Sequence, residues 1–187
     1  MNAYAFPPII GFEEEKAAQV CAFFCRKAGK RIHKLKLIKL VYLSERRFLA
    51  EYGSPIIWDE LYSLPHGPIC SSTLNGIDGL LCDGPFKNYI KADGRKDIYL
   101  VKDAPIDFDF LSDAEIDNLD KIWGEFGHMT ASQIRNFTHE YCKEYTELDH
   151  GRAPISYRDV LIAVGYEDPD AAESYISEMR SLETIRA

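Results

Sequence analysis

The chain has 187 residues, 46% of them hydrophobic and 28% charged, with a net charge of −8. That is an ordinary globular balance and enough length to bury a real core, which excludes a disordered or fibrous protein. Apolar runs are too short to span a bilayer, and Met1 to Glu15 lacks the basic and apolar regions of a signal peptide, so a cytoplasmic protein is expected.

The charge is segregated. Between Arg26 and Arg47 lie nine Lys or Arg and one acid, Glu45, which leaves 13 basic and 29 acidic residues elsewhere, or −16. The acidic bulk argues against general binding to nucleic acid or membranes, while the basic block suggests one specific surface. The five cysteines, Cys21, Cys25, Cys70, Cys82 and Cys142, are odd in number and form no CxxC pair. Reduced thiols are the simpler expectation. Cys21 and Cys25 read as core residues rather than metal ligands, and neither a metal nor another cofactor is expected.

In chain order, a first helix is expected from about Glu13 to Ala28, with acids at its start, Arg26 and Lys27 at its end, and Gly29 as the stop. A second runs from about His33 to Tyr52 and ends at Gly53-Ser54-Pro55. β-type residues follow from Ile56, giving a strand over about 57–64 that breaks at Pro65-His66-Gly67-Pro68. Pro68 then suits the first turn of a third helix, from about Ile69 to Leu81. Residues 86–102 read as a hairpin turning at Asp93-Gly94.

The C-terminal half is helical. Ser112 with Glu115 and Thr130 with Gln133 form capping boxes, and Asp168-Pro169 opens a last amphipathic helix over 168–187. The predicted fold is a single α+β domain over 1–187, mostly helical, with a small antiparallel sheet inserted in its first half.

At 100° per residue, the second helix places Leu35, Leu37, Ile38, Val41, Tyr42, Phe48 and Leu49 on one broad core arc. Lys36, Lys39, Arg46 and Arg47 gather on the opposite side around Leu43. Either this is a solvated face, or it is a docking surface in which Leu43 is an apolar anchor inside a charged rim. Tyr42 is expected in the core, with its hydroxyl needing a partner.

These segments carry a family resemblance. Lys36-Leu37-Ile38-Lys39-Leu40-Val41-Tyr42 resembles the KLxKLLY segment of the Panacea domain, the SocA-like antitoxin family. Gly53-Ser54-Pro55-Ile56 is similar to that family's GxPL step, and Gly67-Pro68-Ile69 to its GPV turn. Thr138-His139 resembles a Thr-His pair in the family's C-terminal half, so the resemblance covers about residues 13–165. Leu64 and Ile38 replace a usual tryptophan and glutamine, which suggests a divergent branch. The resemblance implies an antitoxin, bacterial or phage-borne, that binds a protein toxin encoded by an adjacent gene, with delivery of that toxin to a protease as a further implied role. Lys36, Lys39, Leu43, Arg46, Arg47 and His66 are then the candidate partner contacts. Tyr42, Gly53, Pro55, Gly67, Pro68 and His139 are the structural motif.

Two alternatives stand beside this reading. One is a nucleic-acid-binding regulator using residues 26–47, against which the acidic remainder and the missing recognition motif both speak. The other is an enzyme centred on His66 with Cys70 or Ser71, although no catalytic motif is present and a turn histidine is more often bonded to backbone. No catalytic residue is assigned.

Overall fold

The computed structural model describes residues 11–81, 84–94, 96–105 and 107–186, the last four as helix backbone. The first ten residues and Cys82 therefore lie outside the described residues. The order of elements is α1 (Glu14–Lys27), β1 (Arg31–His33), α2 (Lys34–Tyr52), β2 (Leu61–Leu64), β3 (Gly67–Cys70), α3 (Ser71–Ile77), α4 (Phe86–Tyr89), β4 (Ile90–Asp93), β5 (Asp97–Leu100), α5 (Asp113–Phe126), α6 (Ala131–Tyr141), β6 (Ala153–Ile155), α7 (Tyr157–Val164) and α8 (Pro169–Arg186). The fold is α+β and predominantly helical, as the sequence predicts.

α2 is the axis. It packs against α1, α5, α6, α7 and β3, so apolar residues all round it are buried, Leu37, Leu40, Val41, Tyr42, Leu43 and Leu49 among them. A helix enclosed on most sides has no single wet face, whatever its charges. Its C-cap Gly53 adopts the left-handed φ of 65° expected there and donates to the Leu49 carbonyl.

The expected single sheet is two sheets of three strands. The first has the order β1-β5-β4 and the second β3-β2-β6, all antiparallel. The hairpin expected over 86–102 is confined to β4 and β5, because Phe86 to Tyr89 coil into the short α4. β1 and β6 have three residues each, too few for an alternating pattern to show.

The strand expected over 57–64 begins only at Leu61. Its first part is claimed by a side chain instead: the buried Glu45 carboxylate accepts the amides of Ile56 and Ile57 at 3.0–3.2 Å, so they are spent before any strand can use them. Burial pushes this carboxyl up to about 8, against the pull of the two amides.

The third helix begins at Ser71 rather than Ile69, for a related reason. Residues 67–70 pair with β2 as β3, and buried Asp59 then caps α3 by accepting from the Ser72 and Thr73 amides and the Thr73 hydroxyl. Pro68 thus stands in a strand, not in a first helical turn. β3 and β6 are both edge strands, and each carries a proline, where a missing N–H costs no ladder bond.

In the C-terminal half the two expected capping boxes close as read, and Ser156 with Asp159 forms a third that opens α7. The Asp168 carboxylate accepts from Ala171 at the start of α8. Cys21, Cys25, Cys70 and Cys142 are free thiols in the core.

Gly76 in α3 tests how tightly α4 closes on this core, since an added Cβ would enter the buried Phe86 ring. Helix propensity alone favours Gly76→Ala by about 1 kcal/mol. Overpacking against the ring costs about 1–3 kcal/mol, so the variant should unfold at lower urea than the wild type. A higher midpoint would show that the contact is loose.

Candidate functional site

Lys39 lies on the side of α2 that the sequence assigns to solvent, yet its exposure is 0%. Its amine donates to the Pro68 carbonyl at 2.8 Å, which ties α2 to β3. α6 closes the same spot with Thr138, also at 0%, and His139. Gly67, at φ 95°, sits where these groups meet. A Cβ there would lie 2.9 Å from Lys39 Nζ, 3.0 Å from Thr138 Oγ1 and 3.1 Å from His139 Cδ2. The position needs glycine both for its backbone and for its space. The motifs at 36–42, 67–69 and 138–139, scattered over a hundred residues, therefore converge on one buried polar centre.

The electrostatics follow from burial. Removal from water pulls Lys39 down to about 7, and nearby Arg135 pulls the same way. His139 is also lowered, first by burial and then by Lys39, against a bond to the His66 backbone. Its Nε2 is buried without a protein hydrogen bond. The Tyr145 ring lies tilted against the His139 ring, centroids 4.6 Å apart, and its hydroxyl donates to the Leu64 carbonyl at 3.0 Å, holding the same turn from its other side.

One turn further along α2, Glu144 closes a second junction. Its carboxylate, at 0% side-chain exposure, accepts from Tyr42 Oη at 2.7 Å and Arg46 Nε at 2.8 Å. Tyr42 is thus the core aromatic with a bonded hydroxyl that the sequence anticipates. Arg46 is only half-buried, but its charge is answered.

The other members of the expected docking surface fare similarly. Lys36 donates to the Gly127 carbonyl at 2.6 Å and stands 5.2 Å from the Trp123 ring centre. Arg47 pairs with Glu125 at 3.1 Å, and Leu43 is buried. A solvent-facing patch around Leu43 does not describe the structure. The charges it was drawn from are met by acids and carbonyls far away in sequence. The same holds earlier in the basic block, where Lys27 pairs with Asp120, Arg31 with Asp97 and Lys34 with Asp78. His66 alone of the candidate contacts is exposed, at the tip between β2 and β3, and Pro55 is buried beside Gly53.

Sequence reasoning missed Glu144, Tyr145, Glu45 and Asp59, and singled out Thr138 only through the resemblance. Each acts on a segment that contact alone reveals, so no local spacing marks it. Chemically the centre is a clamp. Cys70 is buried and its thiol is raised well above its ordinary value by burial, which makes it a poor nucleophile beside an exposed His66. Among the described residues no three His, Cys, Asp or Glu groups gather to hold a metal, and no helix is long and apolar enough to cross a membrane.

Lys39 gives a pH test of its own. Its folded value lies below its unfolded one, so the unfolded chain binds the extra proton between about pH 7 and 10.5. Stability from this group is therefore full above that window and is lost as pH falls toward 7. Relative to Lys39→Met, the wild type should gain on the order of 3 kcal/mol as pH rises from 7 to 10, at about 1.4 kcal/mol per unit. Urea titrations of both proteins across that range check it. A gap that does not change with pH would place the amine in water.

Comparison with known families matches residues 37–144, more than half of the chain, to the antitoxin SocA-like Panacea domain. The match contains the Lys39, Gly67 and Thr138-His139 convergence together with Glu144. No curated protein and no solved structure matches the chain. The chain belongs to the SocA-like antitoxin family with a Panacea domain.

Proposed function

We propose that this protein is the antitoxin of a bacterial or phage toxin–antitoxin pair, and that it neutralises a protein toxin encoded by the adjacent gene by binding it directly in the cytoplasm. Membership of the family over residues 37–144 is the observation that carries this reading. Binding rather than catalysis is favoured by how the family motifs are used: Lys39, Tyr42 and Thr138 are buried and bonded within the fold. Such residues hold a shape, and a rigid shape binds at lower entropic cost.

The toxin contact is proposed at the exposed His66 tip and at Arg47, with Lys36 and Arg46 at its margin. Lys39 and Leu43 support it from inside. Four reduced, buried thiols suit a cytoplasmic protein. Delivery of the bound toxin to a protease would be an added step, visible as a fall in toxin level on co-expression; simple inhibition leaves that level unchanged.

Expression of the neighbouring gene product alone should arrest growth, and co-expression with this chain should restore it. An adjacent product that is harmless, or an arrest that this chain does not relieve, would remove the antitoxin reading. Two variants then separate shape from surface. Gly67→Val forces a branched side chain into left-handed backbone and should cost about 1–3 kcal/mol, lowering both melting temperature and neutralisation. His66→Ala removes at most about one hydrogen bond, roughly 1 kcal/mol, from a contact that also includes Arg47, and should leave a folded protein that still neutralises, with binding weakened rather than lost. A His66→Ala protein that binds toxin normally yet fails to protect cells would contradict inhibition by binding.

A further inference from the structure

Four strand edges bound the two sheets, and three of them are closed to further pairing. In the second sheet both edge strands carry a proline, which cannot donate to an added strand. The Pro68 carbonyl of β3 is also taken by Lys39. In the first sheet β1 runs straight into α2, and His33 serves as the N-cap of that helix. The fourth edge is β4, Ile90–Asp93, which has no proline. Past Ile90 it is open on both faces, since Lys91, Ala92, Asp93 and Gly94 are exposed in succession. An open edge of this kind is a template for another strand.

The phase of the ladder decides which groups this edge offers. Val101 donates to the Tyr89 carbonyl at 2.8 Å, one register step before the pairing of Ile90 with Leu100. Bonded pairs alternate in an antiparallel ladder, so Lys91 and Asp93 bond to β5 while Ile90 and Ala92 face away from it. The Ile90 amide is spent on the Phe86 carbonyl at the end of α4. The Ala92 N–H and carbonyl have no hydrogen-bond partner among the described residues. On either side of them Lys91 and Asp93 share one face of the strand, a cation and an anion two residues apart. Lys91 has no ion-pair partner among the described residues.

We propose that β4 pairs with β4 of a second copy of this chain, antiparallel about a two-fold axis at Ala92, joining two three-stranded sheets into one. In that register the two Ala92 residues exchange both of their open bonds. Lys91 of each copy then stands directly opposite Asp93 of the other. These are the non-hydrogen-bonded positions, where opposed side chains come closest and opposite charges attract. Neighbouring registers fail on the same grounds. Centring on Lys91 sets lysine against lysine and calls on the Ile90 amide, which is already used. Centring on Asp93 sets carboxylate against carboxylate. A foreign strand of uniform charge would satisfy one of the two residues and repel the other, so the alternation fits the strand's own copy. The two-fold axis makes the contact closed, as in most homodimers. β4 belongs to the first sheet and the His66 tip to the second, so this pairing leaves the proposed toxin contact at that tip unused.

Sedimentation of the full chain over a concentration series reads this association directly. The wild type should rise from 21.3 kDa toward twice that mass as concentration increases. Lys91→Asp or Asp93→Lys alone turns both cross-strand pairs into like-charge pairs and should weaken association at least about tenfold. The double exchange, Lys91→Asp with Asp93→Lys, returns opposite charges to each pair and should restore the wild-type series. Should a variant fail to fold, hydrogen exchange on the unmodified chain decides: the Ala92 amide should exchange more slowly as concentration rises. A chain that stays monomeric with unchanged Ala92 exchange, single reversals that leave association intact, or a double exchange that does not restore it would each overturn the pairing. Ala92 protection that appears only when the adjacent gene product is added would assign the edge to that partner and equally overturn it. Growth rescue is not among these readings, so failure of the pairing and failure of the antitoxin reading are separate results.

Discussion

The bond from Lys39 to the Pro68 carbonyl is the constraint around which the rest of the domain is arranged. An amine with no exposed surface is tolerated only if it is bonded and can shed its proton, and both conditions hold here. To meet them, β3 must run directly beneath α2, which requires the chain to turn at Gly67 with no side chain in the way. α6 must then bring Thr138 and His139 to the same place. Glu144, a few residues past the end of α6, locks that helix to Tyr42 and Arg46 on the next turns of α2. Three segments far apart in sequence are thereby fixed to one helix, and the His66 tip is presented on a rigid base.

Charge is handled by the same logic at larger scale. The linear chain looks polarised, with a basic block set in an acidic remainder, and that contrast invites an electrostatic binding face. In the fold the remainder supplies the partners: Asp78, Asp97, Asp120, Glu125 and Glu144 each meet a cation of the block. The exposed pairs among them contribute little to stability, about 0–1 kcal/mol each. Their effect is to answer the charge of these five basic residues within the fold.

What the sequence made legible was local. Ser112 with Glu115, Thr130 with Gln133, Asp168 before Pro169, and Gly53 after α2 each act within four residues, and each stands where its spacing implies. The helical character of the fold and the core role of Tyr42 followed from periodicity. What stayed hidden depends on contacts between distant segments. β1 and β6 are too short to carry a pattern and exist because β5 and β2 offer them an edge. Ile56 and Ile57 look like strand residues but answer to Glu45. Lys39 was misplaced for the same kind of reason. A helical projection sorts residues into one buried and one wet side, and α2 has neighbours on most sides, so a lysine opposite the main apolar arc is enclosed by β3 and α6 instead.

Family membership and the buried centre fit together without any catalytic step. The motif residues are buried and bonded within the fold, and they hold the domain in one defined shape. The central physical claim, that Lys39 is a dry amine organising this shape and titrating close to neutral pH, can be read directly by NMR. The ε-carbon and amine resonances of Lys39, assigned by comparison with Lys39→Met, should titrate with a midpoint near 7. A midpoint at the ordinary lysine value of about 10.4 would contradict the account and return Lys39 to solvent.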